Sequence, residues 1–515
     1  SNMINNTVNE LEIECGIPIT TSEVYAVAFN PHIKVKLSNE TKKSISQSRE
    51  VVEKIVSQKK VVYGVTTGFG SFKDKYIVGS DSVDLQKNLI RSHACGVGAP
   101  LSKEAVRAAL LVRLISLSQG CSGVRLELLE AIANLLNEDV TPFVPSQGSV
   151  GSSGDLAPLS HIGLVLIGEG KAFYKEELLE SSEALRRAHL SPIDLKEKEG
   201  LAINNGTSVM TGIAAVCLHR AENLLKIADL ACALSLEAVS GLSSPYDARV
   251  HEARPYKAQI LSAKRIRQLI SGSSSIDSFL ERVQDSYSLR CAPQVHGAAG
   301  EAISYVGTVV GCEINSVTDN PLIFRNPDIS ISAGNFHGEP VAIAMDTLGI
   351  ALAELANISE RRIAKLIDPH TNGDLPIFLI SKDKAGLHSG LMIPQYVAAS
   401  LVSENKVLAH PASVDSIPTS VNQEDHVSMG TIAARKAMNI LENAENVLAI
   451  ELLTSAQAID FRGKEKLAPL NRKAYELIRN IVPYISEDRI LNQDIASLSQ
   501  CIKNFYFEPI FRELD

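Results

Sequence analysis

The sequence predicts a mainly α-helical protein: a smaller domain of mixed elements over residues 3–203, then a long helical bundle over residues 204–515. Three segments carry that reading. Ser208 to Ser240 holds no proline and one glycine, with apolar residues at helical spacing. Pro340 to Ile367 repeats the pattern, with Pro340 suited to a first helical turn, and Met429 to Phe461 is the third. Each is roughly 30 residues long, against about 11–12 for a typical helix. Apolar faces of that length must pack side by side, and bundles of this kind often bury the excess between subunits.

The first two hundred residues read differently, with short apolar pieces alternating with glycine-rich turns. Val61, Val62 and Val65 in KVVYGV (Lys60–Val65) predict a short strand. LSKEAVRAALLVRLISLSQG (Leu101–Gly120) predicts a helix, with Ser102 as N-cap and Gly120 as its terminal glycine.

Composition narrows the function. Apolar residues make up 45% of the 515, enough for a sizeable core, and the net charge of −9 argues against a general nucleic-acid binder. The eight cysteines are scattered without a CxxC pair, which reads as reduced, cytoplasmic thiols rather than a disulfide frame or a zinc site. No uninterrupted apolar run reaches membrane-spanning length, so no membrane partner is expected, and the start lacks the features of a secretion signal. Ser1 and Asn2, ahead of Met3, read as an expression-tag remnant and are set aside. No HExxH or other metal-ligand spacing occurs.

The stretch GSVGSSGDLAP (Gly148–Pro158) sets flexible residues directly beside an apolar run. One reading is a glycine-serine loop. The other is backbone chemistry. In a small–Ser–Gly triplet, the glycine nitrogen can attack the carbonyl two residues earlier while the serine loses water. Glycine permits the close approach and dihedrals this needs.

Extended to GSVGSSGDLAPLSH (Gly148–His161), the stretch resembles the signature of the aromatic amino acid ammonia-lyases and aminomutases. YGVTTGFG (Tyr63–Gly70), NNGTS (Asn204–Ser208), VQDSYSLRCAPQ (Val283–Gln294), EINSVTDNPL (Glu313–Leu322), GNFHGEPVA (Gly334–Ala342) and SENKVLAHPASVDSIPTSVNQEDHVSM (Ser403–Met429) match further motifs in family order. The resemblance implies the helical architecture of the aspartase/fumarase-like lyases and a homotetramer with active sites shared between subunits. It also implies a self-made methylidene-imidazolone (MIO) from Ser152, Ser153 and Gly154, with no external cofactor. Ser152 stands where the family usually has alanine; it is small, and the attacked atom is its carbonyl carbon, so cyclisation is expected to survive.

The same resemblance distributes roles, and each residue type suits its task. Tyr63 matches the base that removes the β-proton, which requires its pKa to fall from about 10; as a lone loop tyrosine it reads as a packed ring. Arg290 suits a substrate carboxylate, because guanidinium binds it in a planar fork, or else an ordinary ion pair. Tyr287, Gln284 and Asn205 match residues around the amine, carboxylate and ring, or a structural network; Phe336 matches a pocket-lining aromatic or a core residue. Asp155 orients the triplet or caps a helix.

By the same resemblance His93, in RSHACGVG (Arg91–Gly98), and Glu404, in SENK, are expected to read the substrate side chain. An imidazole has two nitrogens needing partners, and a phenyl ring would leave Glu404 a buried unpaired charge. Taken alone, Glu404 reads as part of a solvated helix face. The expected reaction is the non-oxidative deamination of a small amino acid, L-histidine, to trans-urocanate and ammonia, the first step of histidine degradation. The alternatives are an MIO-dependent 2,3-aminomutase, a tyrosine ammonia-lyase, or a non-catalytic homologue that binds an amino acid. His337, His410 and His426 read as structural; His296 and His388 have no assigned role.

Overall fold

The computed structural model describes residues 9–77 and 79–514. They divide into two compact units, each discontinuous in sequence. The first comprises the chain up to His219 with Gly307–Asp346 and Pro411–Arg435; the second comprises Arg220–Val306, Thr347–His410 and the chain from Lys436 onward. All but the division at His410/Pro411 fall inside long helices. The expected boundary at 203/204 falls inside the short helix Glu199–Asn204.

Helices dominate both units, and the three long segments are helical. They form Ser208–Ala238, Glu339–Leu366 and Gly430–Arg462, within two residues of the expected bounds. Glu339–Leu366 is also apolar enough, by length and composition, to cross a membrane, but 72% of the relevant window is buried in the protein. A fourth long helix, Ala292–Ile314, was not expected. Pro293, Gly297, Gly300, Gly307 and Gly311 disguise it, but Gly297 and Gly300 serve packing. A Cβ on Gly297 would sit 2.6 Å from Gln259 Cα, so that glycine lets two helices of the second unit touch backbone to backbone.

In the first unit, Glu10–Ile13 pairs in parallel with Lys34–Leu37 across the helix Thr21–Phe29. That helix starts with a capping box: Thr20 Oγ1 accepts from Glu23 N–H, and Glu23 accepts from Thr20 N–H. The central helix is Lys103–Leu117, buried along its length from Ala105. Ser102 caps it as expected, accepting from Ala105 N–H at 3.2 Å. The strand expected at Lys60–Val65 is absent. Val65 and Thr66 both donate to Val62 O, at 3.1 and 3.0 Å, and this folds the segment into a turn. The β-branched valines make the segment resemble a strand, but only Val65 is buried, and Val61 is exposed.

The second unit is built on small residues and buried ionic groups. Arg362 donates twice to Glu451, at 2.8 and 2.9 Å, and both side chains are 0% exposed. Ser359 and Ser235 also donate to Glu451. His296, equally buried, faces Asp229 at 2.8 Å through Nδ1 and accepts from Arg362 at 3.3 Å through Nε2. Burial lowers its pKa, so a neutral ring donating to Asp229 fits this geometry. His296 is therefore a core residue. His388 accepts from Asp488 N–H at 3.1 Å, away from the cavities described below.

Glu451→Ala should leave Arg362 buried and unpaired and destabilise the protein by about 3–5 kcal/mol. Denaturant unfolding should show the transition shifting accordingly; an unchanged midpoint would mean that the pair is solvated.

Candidate active site

The segment Gly148–Pro158 folds as a tight turn ahead of the helix Leu156–Leu166. Gly154 has φ +75°, and a Cβ there would fall 1.9 Å from Gly206 O. The two glycines form a parallel backbone bridge: Gly206 N–H donates to Ser153 O at 3.1 Å, and Asp155 N–H donates to Gly206 O at 2.7 Å. Gly154 cannot carry a side chain without parting the two backbones. Gly206 has φ +138°, and its Cβ would strike the Arg113 guanidinium at 2.4 Å.

Asp155 sits at the helix N-cap position, but its side chain caps nothing there. Its carboxylate accepts from Ser149 Oγ and Met210 N–H, both at 2.9 Å, and from Thr431 Oγ1. Burial pushes its pKa up, and these donors pull it back. Asp155 therefore ties the turn to three segments of the first unit.

The turn opens on a cavity of about 610 Å³ in the first unit. Tyr63, His93, Ser153, Asn205 and Glu424 line it. Ser153 Oγ donates to Glu424 Oε1 at 3.0 Å, and Thr419 Oγ1 holds the other carboxylate oxygen at 2.8 Å. Ser152 is buried behind the wall, 4% exposed. Burial lowers the pKa of His93, which ends the helix Ser80–His93, while the Leu89 carbonyl and the Glu424 charge oppose the shift. Tyr63 departs from expectation. Burial, reinforced by the Glu424 charge, raises its pKa, and the hydrogen bond with the Gly70 backbone only partly offsets this.

The remaining predicted residues lie elsewhere in the chain. Gln284, Tyr287 and Arg290 line a hollow of about 540 Å³ in the second unit. Arg290 Nη1 donates to Gln284 Oε1 at 2.9 Å, and its guanidinium lies 5.7 Å from the Tyr287 ring centroid. Tyr287 is 72% exposed on a four-residue helix. Phe336 is half-buried in a loop of the first unit and does not line the 610 Å³ cavity. His337 and His426 stack at 5.7 Å, and the His410 carbonyl accepts from Lys436 at 2.8 Å.

Glu404 also lies away from this cavity. It is exposed on the helix Met392–Leu408 in the second unit, whereas the carboxylate that shares a cavity with His93 is Glu424. The sequence presents two glutamates within one matching stretch. The SENK match singles out Glu404; Glu424 sits in an irregular loop, where no periodicity marks its direction.

The aromatic amino acid lyase family model matches residues 19–480. The chain is 52% identical over 499 residues to a histidine ammonia-lyase of Caldanaerobacter subterraneus subsp. tengcongensis, covering 97% of each chain. Its structure is similar to the crystal structure of histidine ammonia-lyase from Trypanosoma cruzi, with TM-score 0.91, 40% identity, and 98% and 95% of the two chains covered. It is also similar to tyrosine aminomutase from Streptomyces globisporus, with TM-score 0.93, 37% identity, and 98% and 99% covered.

Gly154→Ala would place a Cβ on Gly206 O and force an L-residue into the left-handed region. It should destabilise the first unit by more than about 2 kcal/mol, which denaturant unfolding should reveal. An undisturbed variant would mean that the turn is looser than this geometry.

Proposed function

We propose that this chain, which belongs to the aromatic amino acid lyase family, is a histidine ammonia-lyase that converts L-histidine to trans-urocanate and ammonia. The carrying observation is that His93 and Glu424 share one cavity with Ser153. Together they offer partners to both imidazole nitrogens, and a phenyl ring would leave the carboxylate unpaired. The names of the most similar relatives support the same substrate.

The residues present fit the ring. Gly154 has no room for a side chain, and Ser152 is small and buried. Formed from Ser152, Ser153 and Gly154, MIO would supply an electrophile for the substrate nitrogen and so make ammonia a better leaving group. Tyr63 takes the β-proton. Its raised pKa in the single chain calls for a nearby cation, and the substrate ammonium is the first available. Arg290 grips the substrate carboxylate as a fork, with Gln284 and Asn205 completing the hydrogen bonds. Tyr287 stands by the amine and Phe336 closes the wall.

Gln284, Tyr287, Arg290 and Phe336 reach the cavity from neighbouring copies in a homotetramer. In the single chain Gln284 and Tyr287 are exposed and Arg290 and Phe336 half-buried, which supports this reading, because aromatic and arginine side chains left open at a surface are typical of residues that anchor interfaces. All eight cysteines are free, in keeping with a reducing, cytoplasmic setting.

Purified protein incubated with L-histidine, L-tyrosine and L-phenylalanine should yield urocanate from histidine alone, identified by chromatography. A β-amino acid product would instead establish an aminomutase, and no product from any of the three would overturn the lyase reading. Ser153→Ala should leave a folded protein with almost no turnover. Glu424→Gln should lower kcat/KM for histidine ten- to hundredfold, about 1.5–3 kcal/mol, the worth of a hydrogen bond to a charged group. Equal losses on histidine and phenylalanine would remove Glu424 from side-chain recognition.

A further inference from the structure

We propose that Arg113 is a positioning residue for ring closure: it fixes the Asn205–Gly206 peptide that clamps the Ser152–Gly154 turn. This rests on the reading that the turn cyclises.

Arg113 lies in the Lys103–Leu117 helix and is 2% exposed. Its Nη1 donates to Asn205 O. Its Nη2 donates to Ser116 Oγ at 2.9 Å and Thr318 Oγ1 at 3.0 Å. The guanidinium thus has neutral acceptors only, with the charges of Asp319 and Asp155 acting at a distance. Its Nε has no hydrogen-bond partner. Burying an arginine this way is unfavourable, and a leucine would fill a helix core at less expense. What the guanidinium does that leucine cannot is hold a backbone carbonyl.

That carbonyl belongs to the Asn205–Gly206 peptide. Gly206 spends both its polar atoms on the turn, with its N–H on Ser153 O and its O on Asp155 N–H. Ser153 O shares a peptide plane with the Gly154 nitrogen. Asp155 N–H belongs to the next plane. Both planes flanking Gly154 are therefore set by Gly206, and Gly206 is packed against Arg113.

Closure forms a bond from the Gly154 nitrogen to the Ser152 carbonyl carbon. The carbonyl oxygen leaves as water with the amide protons of Ser153 and Gly154. Ser153 then loses its Cα proton and hydroxyl as a second water, leaving an exocyclic double bond. No oxidant or reductant is needed. An amide nitrogen is a weak nucleophile, so orientation must supply much of the rate.

Intact mass of the purified full chain tests this without any assay of turnover. Wild type should be two waters lighter than its sequence. In Arg113→Gln, circular dichroism and thermal unfolding should report a folded protein, while the dehydrated fraction falls at least about tenfold. Arg113→Lys, which keeps a charged donor, should recover part of it. Should Arg113→Gln fail to fold, Thr318→Val removes one anchor of the guanidinium and should slow dehydration after synthesis. A merely structural role would lower stability and leave the mass unchanged. Folded variants dehydrated as fully and as fast as wild type overturn the role of Arg113 alone. A wild-type chain at full sequence mass overturns the cyclisation reading and this proposal with it.

Discussion

The contact between Gly154 and Gly206 is the constraint on which the candidate site depends. Two backbones approach so closely that a single Cβ at Gly154 would lie 1.9 Å from an oxygen. The approach forces Gly154 into the left-handed region and fixes the peptides on either side of it. It also sets the direction of the Leu156–Leu166 helix, whose first residue follows Asp155, and it delivers Ser153 to the cavity wall. Asp155, bound to Ser149, Met210 and Thr431, ties this geometry to segments far apart in sequence. A turn of glycine and serine is ordinarily soft; here tertiary hydrogen bonds remove that freedom.

Electrostatics in the cavity follow from enclosure. Burial disfavours charge on both Tyr63 and His93, moving the first up and the second down, and Glu424 opposes protonation loss at each. Enclosure therefore favours the uncharged forms of His93 and Tyr63 beside Glu424. Such a site favours a cationic ligand, and an amino acid brings an ammonium with it. The carboxylate end of the same ligand calls for an arginine, and in this chain Arg290 lines a different hollow. The proposed ligand thus needs groups from both hollows.

The second unit meets a different need. Its small residues let helices close on one another, and its buried pairs, Arg362 with Glu451 and His296 with Asp229, sit where misregistered helices would strand charges. Tyr246 Oη donates to Leu289 O at 2.5 Å and Arg362 donates to Ser288 O at 3.3 Å, so the short helix bearing Tyr287 and Arg290 is anchored to this interior while those side chains face outward.

The sequence by itself determined the long helices at 208–238, 339–366 and 430–462, the Ser102 cap, and the reactive potential of Ser152–Gly154, because these rest on local periodicity, local hydrogen bonding and motif. It also marked Tyr63, His93, Ser153 and Asn205, which the fold gathers into one cavity. It misread Lys60–Val65 as a strand and passed over the 292–314 helix, because burial and glycine packing are settled by partners outside the segment. Glu404 and Glu424 are chemically identical, and no local pattern tells them apart. Only the tertiary structure sets them apart, exposing the first on a helix face and turning the second towards Ser153, since the direction of a loop side chain is set by what packs around the loop.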